Sequence, residues 1–145
     1  MSANLEDAII LAATLHKGQV DKAGSPYILH ALRVMFRLKS DRARIAGVLH
    51  DVVEDCNVSL DDLRAKGFDD MVIDALDHLT KRPEEEDDYD SFISRVAMGP
   101  DLARQVKMAD LEENMDLTRI EKPTESDLLR AQKYKRAIAT LKVGF

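Results

Sequence analysis

Ala43–Asp55 reads ARIAGVLHDVVED. It opens small and apolar, with Ala43, Ile45, Ala46, Val48 and Leu49 around Gly47. It then sets four ionisable groups close together: His50, Asp51, Glu54 and Asp55. On a helix of about 3.6 residues per turn, His50 sits over Glu54, Asp51 sits over Asp55, and Asp51 also lies beside Glu54. So apolar an approach to His50 predicts a buried helix. Burying three carboxylates and an imidazole side by side is costly unless a positive charge compensates them. A metal ion does this most directly, because imidazole plus carboxylate is a transition-metal ligand set.

Two neighbouring residues cannot complete a coordination sphere, so further ligands must come from elsewhere. The histidines are His16, His30, His50 and His78. His30 ends SPYILH, at the entry to another apolar helix. Asp110 ends the apolar pattern of Val106, Met108 and Ala109 within VKMAD. A polar residue in either place asks for a task.

Away from these residues the chain reads as helices joined by short breaks. Ser2 or Asn4 caps a first helix that runs to about Lys17 and ends at Gly18. Pro26 suits the first turn of a second, which reaches about Leu38. Ser40 or Asp41 caps the helix that carries His50. Ser59 opens a short helix closed by Gly67, and a fifth covers about Asp69 to Thr80. The charged break KRPEEEDD precedes a sixth helix near Asp88–Ala97. A seventh covers about Asp101 to Leu117, and the last starts at Thr124 or Ser126 and ends near Lys142. No strand is expected, so residues 1–145 read as a single all-α domain.

Composition agrees. A chain of 145 residues is long enough for one core, and 45% hydrophobic with 33% charged residues fits a globular protein. Aromatics at 5%, six Gly and four Pro favour helices over a sheet. A net charge of −6 excludes a broad nucleic-acid-binding face, so an anionic substrate needs a locally basic pocket. The single cysteine, Cys56, excludes an intrachain disulfide and a Cys-based zinc site, and the neighbouring acids leave it a poor nucleophile. The N-terminus lacks signal-peptide character and no run approaches a membrane span, so a cytoplasmic protein without membrane contact is expected.

GQVDKAGSPYILH, LHDVVED and VKMADLEENM, in that order, resemble the HD-domain phosphohydrolases of the RelA/SpoT type, in particular the small stand-alone (p)ppGpp hydrolases. The likeness runs from about Ala8 to Leu141. It implies an HD-domain bundle of about seven or eight helices and a nucleotide substrate. It also implies that His30, His50, Asp51 and Asp110 hold one divalent ion, typically manganese. Glu54 and Asp55 then orient or activate the attacking water, which makes them the catalytic acids. Lys22, Asn114 and Tyr134 fall where relatives contact the substrate.

The chain departs from the pattern in three places. Asp21 stands where relatives carry an arginine, Ala31 replaces the proline after the ligand histidine, and LEEN is acidic where a basic residue is usual. The metal set survives all three, and weaker discrimination of the base is expected. The chain's end at Phe145 leaves no room for a synthetase domain, so breakdown is the expected alarmone activity. Hydrolysis of another nucleotide or phosphomonoester, and nucleotide sensing without catalysis, are the alternatives. A homo-oligomer is compatible with the sequence, and a structural role is expected for His16.

Overall fold

The computed structural model describes residues 2–116 and 122–143. Helices dominate: α1 (Leu5–Leu15), α2 (Ile28–Phe36), α3 (Asp41–Leu49), α4 (Val52–Asp55), α5 (Leu60–Ala65), α6 (Asp70–Leu79), α7 (Tyr89–Ala97), α8 (Asp101–Asn114) and α9 (Glu125–Val143). A 3-10 turn, Pro83–Glu85, lies between α6 and α7. Among the described residues there is no strand, only an isolated bridge between Val20 and Pro26. No helix there is long and apolar enough to cross a membrane.

Side-chain oxygens set most of the helix starts by accepting orphan backbone N–H groups. Asn4 accepts from Asp7, Ser40 from Ala43, Ser59 from Asp62, Asp69 from Val72 and Asp88 from Ser91. Thr124 does the same for Asp127 ahead of α9. Each anticipated helix is present. The expected end of the seventh, Leu117, lies outside the described residues, whose α8 closes at Asn114.

α3 occupies the middle and packs against α1, α2, α6 and α8. Its residues Ala43, Ile45, Ala46, Gly47, Val48 and Leu49 are all buried. Full burial of a side chain such as Leu49 contributes about 1.5–3 kcal/mol relative to exposure. Gly47 packs against α2 and the turn that follows it: a Cβ there would meet Leu38 Cδ1 at 2.6 Å and Met35 Cα at 3.6 Å. α9 lies across α7 and α8 and completes the far wall.

One expectation is corrected. Ala43–Asp55 is not a continuous helix. α3 stops at Leu49, and Asp51 adopts φ −106 and ψ 0 before the single turn of α4. Adjacent residues on a straight helix point about 100° apart and do not face one another. The break lets His50 and Asp51 face one point, which the stacking read from the sequence did not.

Candidate metal centre and its cleft

Four side chains from separate elements meet at this break. His30 comes from α2, His50 and Asp51 from the α3–α4 corner, and Asp110 from α8. His30 Nε2 lies 2.9 Å from Asp110 Oδ1. His50 Nε2 lies 3.0 Å from Asp51 Oδ2 and 3.3 Å from Asp110 Oδ1. His30, His50 and Asp51 each bring a ligand atom to within 4.8 Å of the others. His30, His50 and Asp110 are buried.

The donor chemistry fits a cation. His50 Nδ1 lies 2.7 Å from the Gly47 carbonyl, which accepts its proton and leaves Nε2 with a lone pair in the neutral ring. Nε2 is buried without a hydrogen-bond partner, although two carboxylate oxygens stand close to it. A lone pair and two anionic oxygens at that range repel unless a proton or a metal ion lies between them. The titration behaviour says the same. Burial opposes a charge on His50, yet Asp51 and Asp110 outweigh it and hold the imidazolium well above the usual range. Burial would raise Asp51 and Asp110, but the His50 charge brings Asp51 to about 2, and Lys107 with His50 takes Asp110 well below the usual carboxylate range.

Two further residues support the centre that the sequence reading left without roles. Tyr27 donates its hydroxyl proton to Asp51 Oδ2, with its ring against His16 and His30 at centroid distances of 4.8 and 5.3 Å. Burial and the Asp51 charge push the Tyr27 phenol up, so it stays a donor. Lys107 Nζ lies 2.9 Å from Asp110 Oδ2 and 5.2 Å from the centre of the Phe92 ring. Its spacing of three residues from Asp110 on one helix was the available signal. His16 is buried behind Tyr27, with Nδ1 2.8 Å from Gln19 Oε1.

A cleft of about 400 Å³ opens from the cluster. Lys22, Asn114 and Tyr134 line it with Tyr27, His30, Asp51, Asp110 and Arg130. Asn114 also donates to Asp110 Oδ1 at 3.2 Å, so it joins the candidate cluster to the cleft. Arg130 stands one turn before Tyr134 on α9, a spacing that marks it as a neighbour. Burial first, then the charges of Lys81, Lys107, Lys22 and Arg130, lower the Lys133 ammonium. Lys22 and Arg130 thus bring positive charge to a cleft that is also lined by Asp21, Asp116 and Asp127, the last paired with Arg130.

Glu54 and Asp55 stand apart from the cleft lining. Both are exposed on α4. Burial, with Asp51 and Glu54 nearby, raises the Asp55 carboxyl. Glu54 Oε1 accepts the Lys81 backbone N–H at 2.6 Å.

The mouth of the cleft is a tight loop. Asp21 Oδ1 accepts the backbone N–H groups of Ala23 at 2.9 Å and Ser25 at 3.0 Å, and Gly24 follows with φ 84. Arg33 lies 3.8 Å from Asp21 and 2.8 Å from Glu113, whose other oxygen takes Arg37 at 2.9 Å. Two of the three departures from the family pattern, Asp21 and the acidic LEEN, thus share one guanidinium. The third, Ala31, is buried in the core.

Residues 8–91 match the HD domain family. The chain belongs to that family. Among curated relatives of this HD domain, a guanosine-3′,5′-bis(diphosphate) 3′-pyrophosphohydrolase of Borreliella burgdorferi is 41% identical over 78 residues, 51% of this chain and 12% of the relative. Its Vibrio cholerae namesake is 32% identical over 123 residues, 77% of this chain and 17% of the relative. A GTP pyrophosphokinase of Streptomyces coelicolor is 43% identical over 81 residues, 53% of this chain and 9% of the relative. The chain thus spans less than a fifth of the length of these relatives. A solved structure, described as a metazoan orthologue of SpoT that hydrolyses ppGpp, superposes with a TM-score of 0.78 at 22% identity. The match covers 99% of this chain and 86% of that one, and it fixes the shared fold.

Proposed function

We propose that this HD domain, with residues 1–145 acting as one unit, is a metal-dependent phosphohydrolase of (p)ppGpp that releases the 3′-diphosphate in the cytoplasm. The observation that carries the reading is the meeting of two imidazoles and two carboxylates at a point where His50 Nε2 lacks a hydrogen-bond partner. His30, His50, Asp51 and Asp110 would hold one divalent ion, with manganese as the leading choice. Such an ion polarises a phosphoryl oxygen and lowers the pKa of water.

The chain's own groups do the rest. Tyr27 and Lys107 each occupy one ligand carboxylate oxygen and so fix its orientation. Glu54 and Asp55 orient the attacking water and take its proton. Lys22 and Arg130 face the phosphates from the cleft wall, and Asn114 with Tyr134 contacts the nucleotide. The names of the relatives from Borreliella burgdorferi and Vibrio cholerae support the choice of substrate.

The test is a product screen of the purified protein with manganese against ppGpp, pppGpp, ATP, GTP and p-nitrophenyl phosphate. Diphosphate release from ppGpp, leaving GDP, is expected. Release of phosphate from p-nitrophenyl phosphate alone would move the activity to phosphomonoesters. No product from any compound would leave nucleotide binding without catalysis.

A further inference from the structure

One buried carboxylate has no part in the site described above. Glu85, in the charged break between α6 and α7, is 6% exposed. It is held by Arg95 of α7, with Nε to Oε2 at 2.8 Å and Nη2 to Oε1 at 3.0 Å. Such a two-point pair fixes the plane of the guanidinium as well as its position. Glu85 Oε1 also accepts the backbone N–H of Arg82 at 2.8 Å.

The fixed guanidinium reaches one particular peptide group. Arg95 Nη2 donates to the Thr80 carbonyl at 2.9 Å, and Nη1 donates to the His78 carbonyl at 3.1 Å. Arg82 Nη1 adds a second donor to the Thr80 carbonyl at 3.3 Å. The Thr80 carbonyl and the Lys81 N–H belong to one planar trans peptide unit, in which oxygen and hydrogen point in opposite directions. Fixing the oxygen therefore aims the hydrogen. That N–H is the donor to Glu54 Oε1 at 2.6 Å. A cationic donor on the carbonyl also polarises the peptide and strengthens its N–H as a donor.

We propose that Arg95, locked by Glu85, is a positioning residue that sets the orientation of Glu54 through the Thr80–Lys81 peptide. The proposal rests on the reading of Glu54 as a water-orienting acid, and it adds why an exposed carboxylate on a one-turn helix keeps a single orientation. One oxygen is bound by the Lys81 N–H, and the other is the one offered to water. A break without periodicity thereby acquires a task at a site on another element.

The test combines kinetics with an amide signal. Arg95→Lys keeps the charge and loses the planar fork. With manganese and ppGpp it is expected to lower kcat about tenfold with KM unchanged. The same change in a Glu54→Gln background, followed in single turnovers with enzyme in excess, is expected to cost nothing more, because the loss acts through Glu54. Glu85→Gln is the second variant and moves kcat in the same direction by a smaller factor. In 15N-labelled protein the Lys81 amide resonance should shift in Glu54→Gln, and shift in the same direction in Arg95→Lys. Equal losses from Arg95→Lys in both backgrounds, or a Lys81 signal indifferent to both changes, overturn the proposal. A parent protein that hydrolyses nothing overturns the reading of the activity, while the Lys81 signal still decides whether Arg95 governs Glu54.

Discussion

His50 and Asp51 on one side, and Glu54 and Asp55 on the other, lie within six consecutive residues and share much the same chemistry. The first pair is drawn inward and held by two other helices, α2 through Tyr27 and His30 and α8 through Asp110. The second pair stays exposed, and Glu54 is fixed by a backbone amide from a distant break. The difference comes from the helix end after Leu49. Binding a cation needs convergent donors shielded from water, whereas steering a water needs a carboxylate that water can reach. On the proposed reading, one bend in the backbone separates the two demands.

The sharpest way to break this comparison is Asp51→Ala. It removes one of two carboxylates at the centre and is expected to abolish both metal binding and turnover. Stoichiometric metal by elemental analysis in that variant would remove Asp51 from the ligand set. Glu54→Gln combined with Asp55→Asn should do the opposite on the metal side. The ion stays, and hydrolysis falls by about 10²–10⁴-fold, the usual range for general acid–base groups. Steady-state rates within a factor of about two of the parent would take the outer pair out of the chemistry.

A weaker effect separates the inner pair from the outer one by pH. His50 is raised above its ordinary 6.5, so its contribution to stability is complete below that value and is lost as pH rises through the raised one. Asp51 is lowered from 3.8 to about 2, so its contribution is complete above 3.8 and is lost as pH falls through about 2. In chelator-treated protein the difference in Tm between the parent and Asp51→Asn should therefore be largest between these two ordinary values. A difference that is flat across pH would mean that the pair is not charged in the metal-free fold.

The smallest effects belong at the cleft mouth. Lys22→Ala should raise KM a few-fold and leave kcat nearly unchanged, as expected for a point charge on phosphate. Asp21→Asn keeps an oxygen for the Ala23 and Ser25 amides and should change KM little. Asp21→Arg loses that acceptor and should raise KM for guanine and adenine nucleotides alike. A selective gain for guanine in Asp21→Arg would instead place base reading at this position.

The inner pair was legible because it interrupts an apolar run, and His30 and Asp110 were legible for the same reason. Eight of the nine α-helices among the described residues followed from caps, breaks and apolar spacing, α4 being the exception. The break after Leu49 left no such mark: no glycine or proline stands at Asp51, and the His50 ring meets the Gly47 carbonyl only once the chain is folded. Lys107 and Arg130 had readable spacings, three residues before Asp110 and four before Tyr134, but each also fits an ordinary solvated helix face. Glu85 and Arg95 could not be found from periodicity, since their partners are backbone carbonyls and amides brought together only by the fold.

The Arg33 bridge between Asp21 and Glu113 has a consequence for mutational paths. Replacing Glu113 alone with a basic residue would place that residue against Arg33 and Arg37, which now bind its carboxylate from two sides. Returning Asp21 alone to arginine would set a new cation against Arg33 and undo the loop's two amide bonds. Each change is unfavourable in the presence of the present arginines, so a tolerated path runs through Arg33. In a library that varies Asp21, Arg33 and Glu113 together, surviving sequences should show the three positions changing in concert, and single changes to a basic residue at Asp21 or Glu113 should be rare.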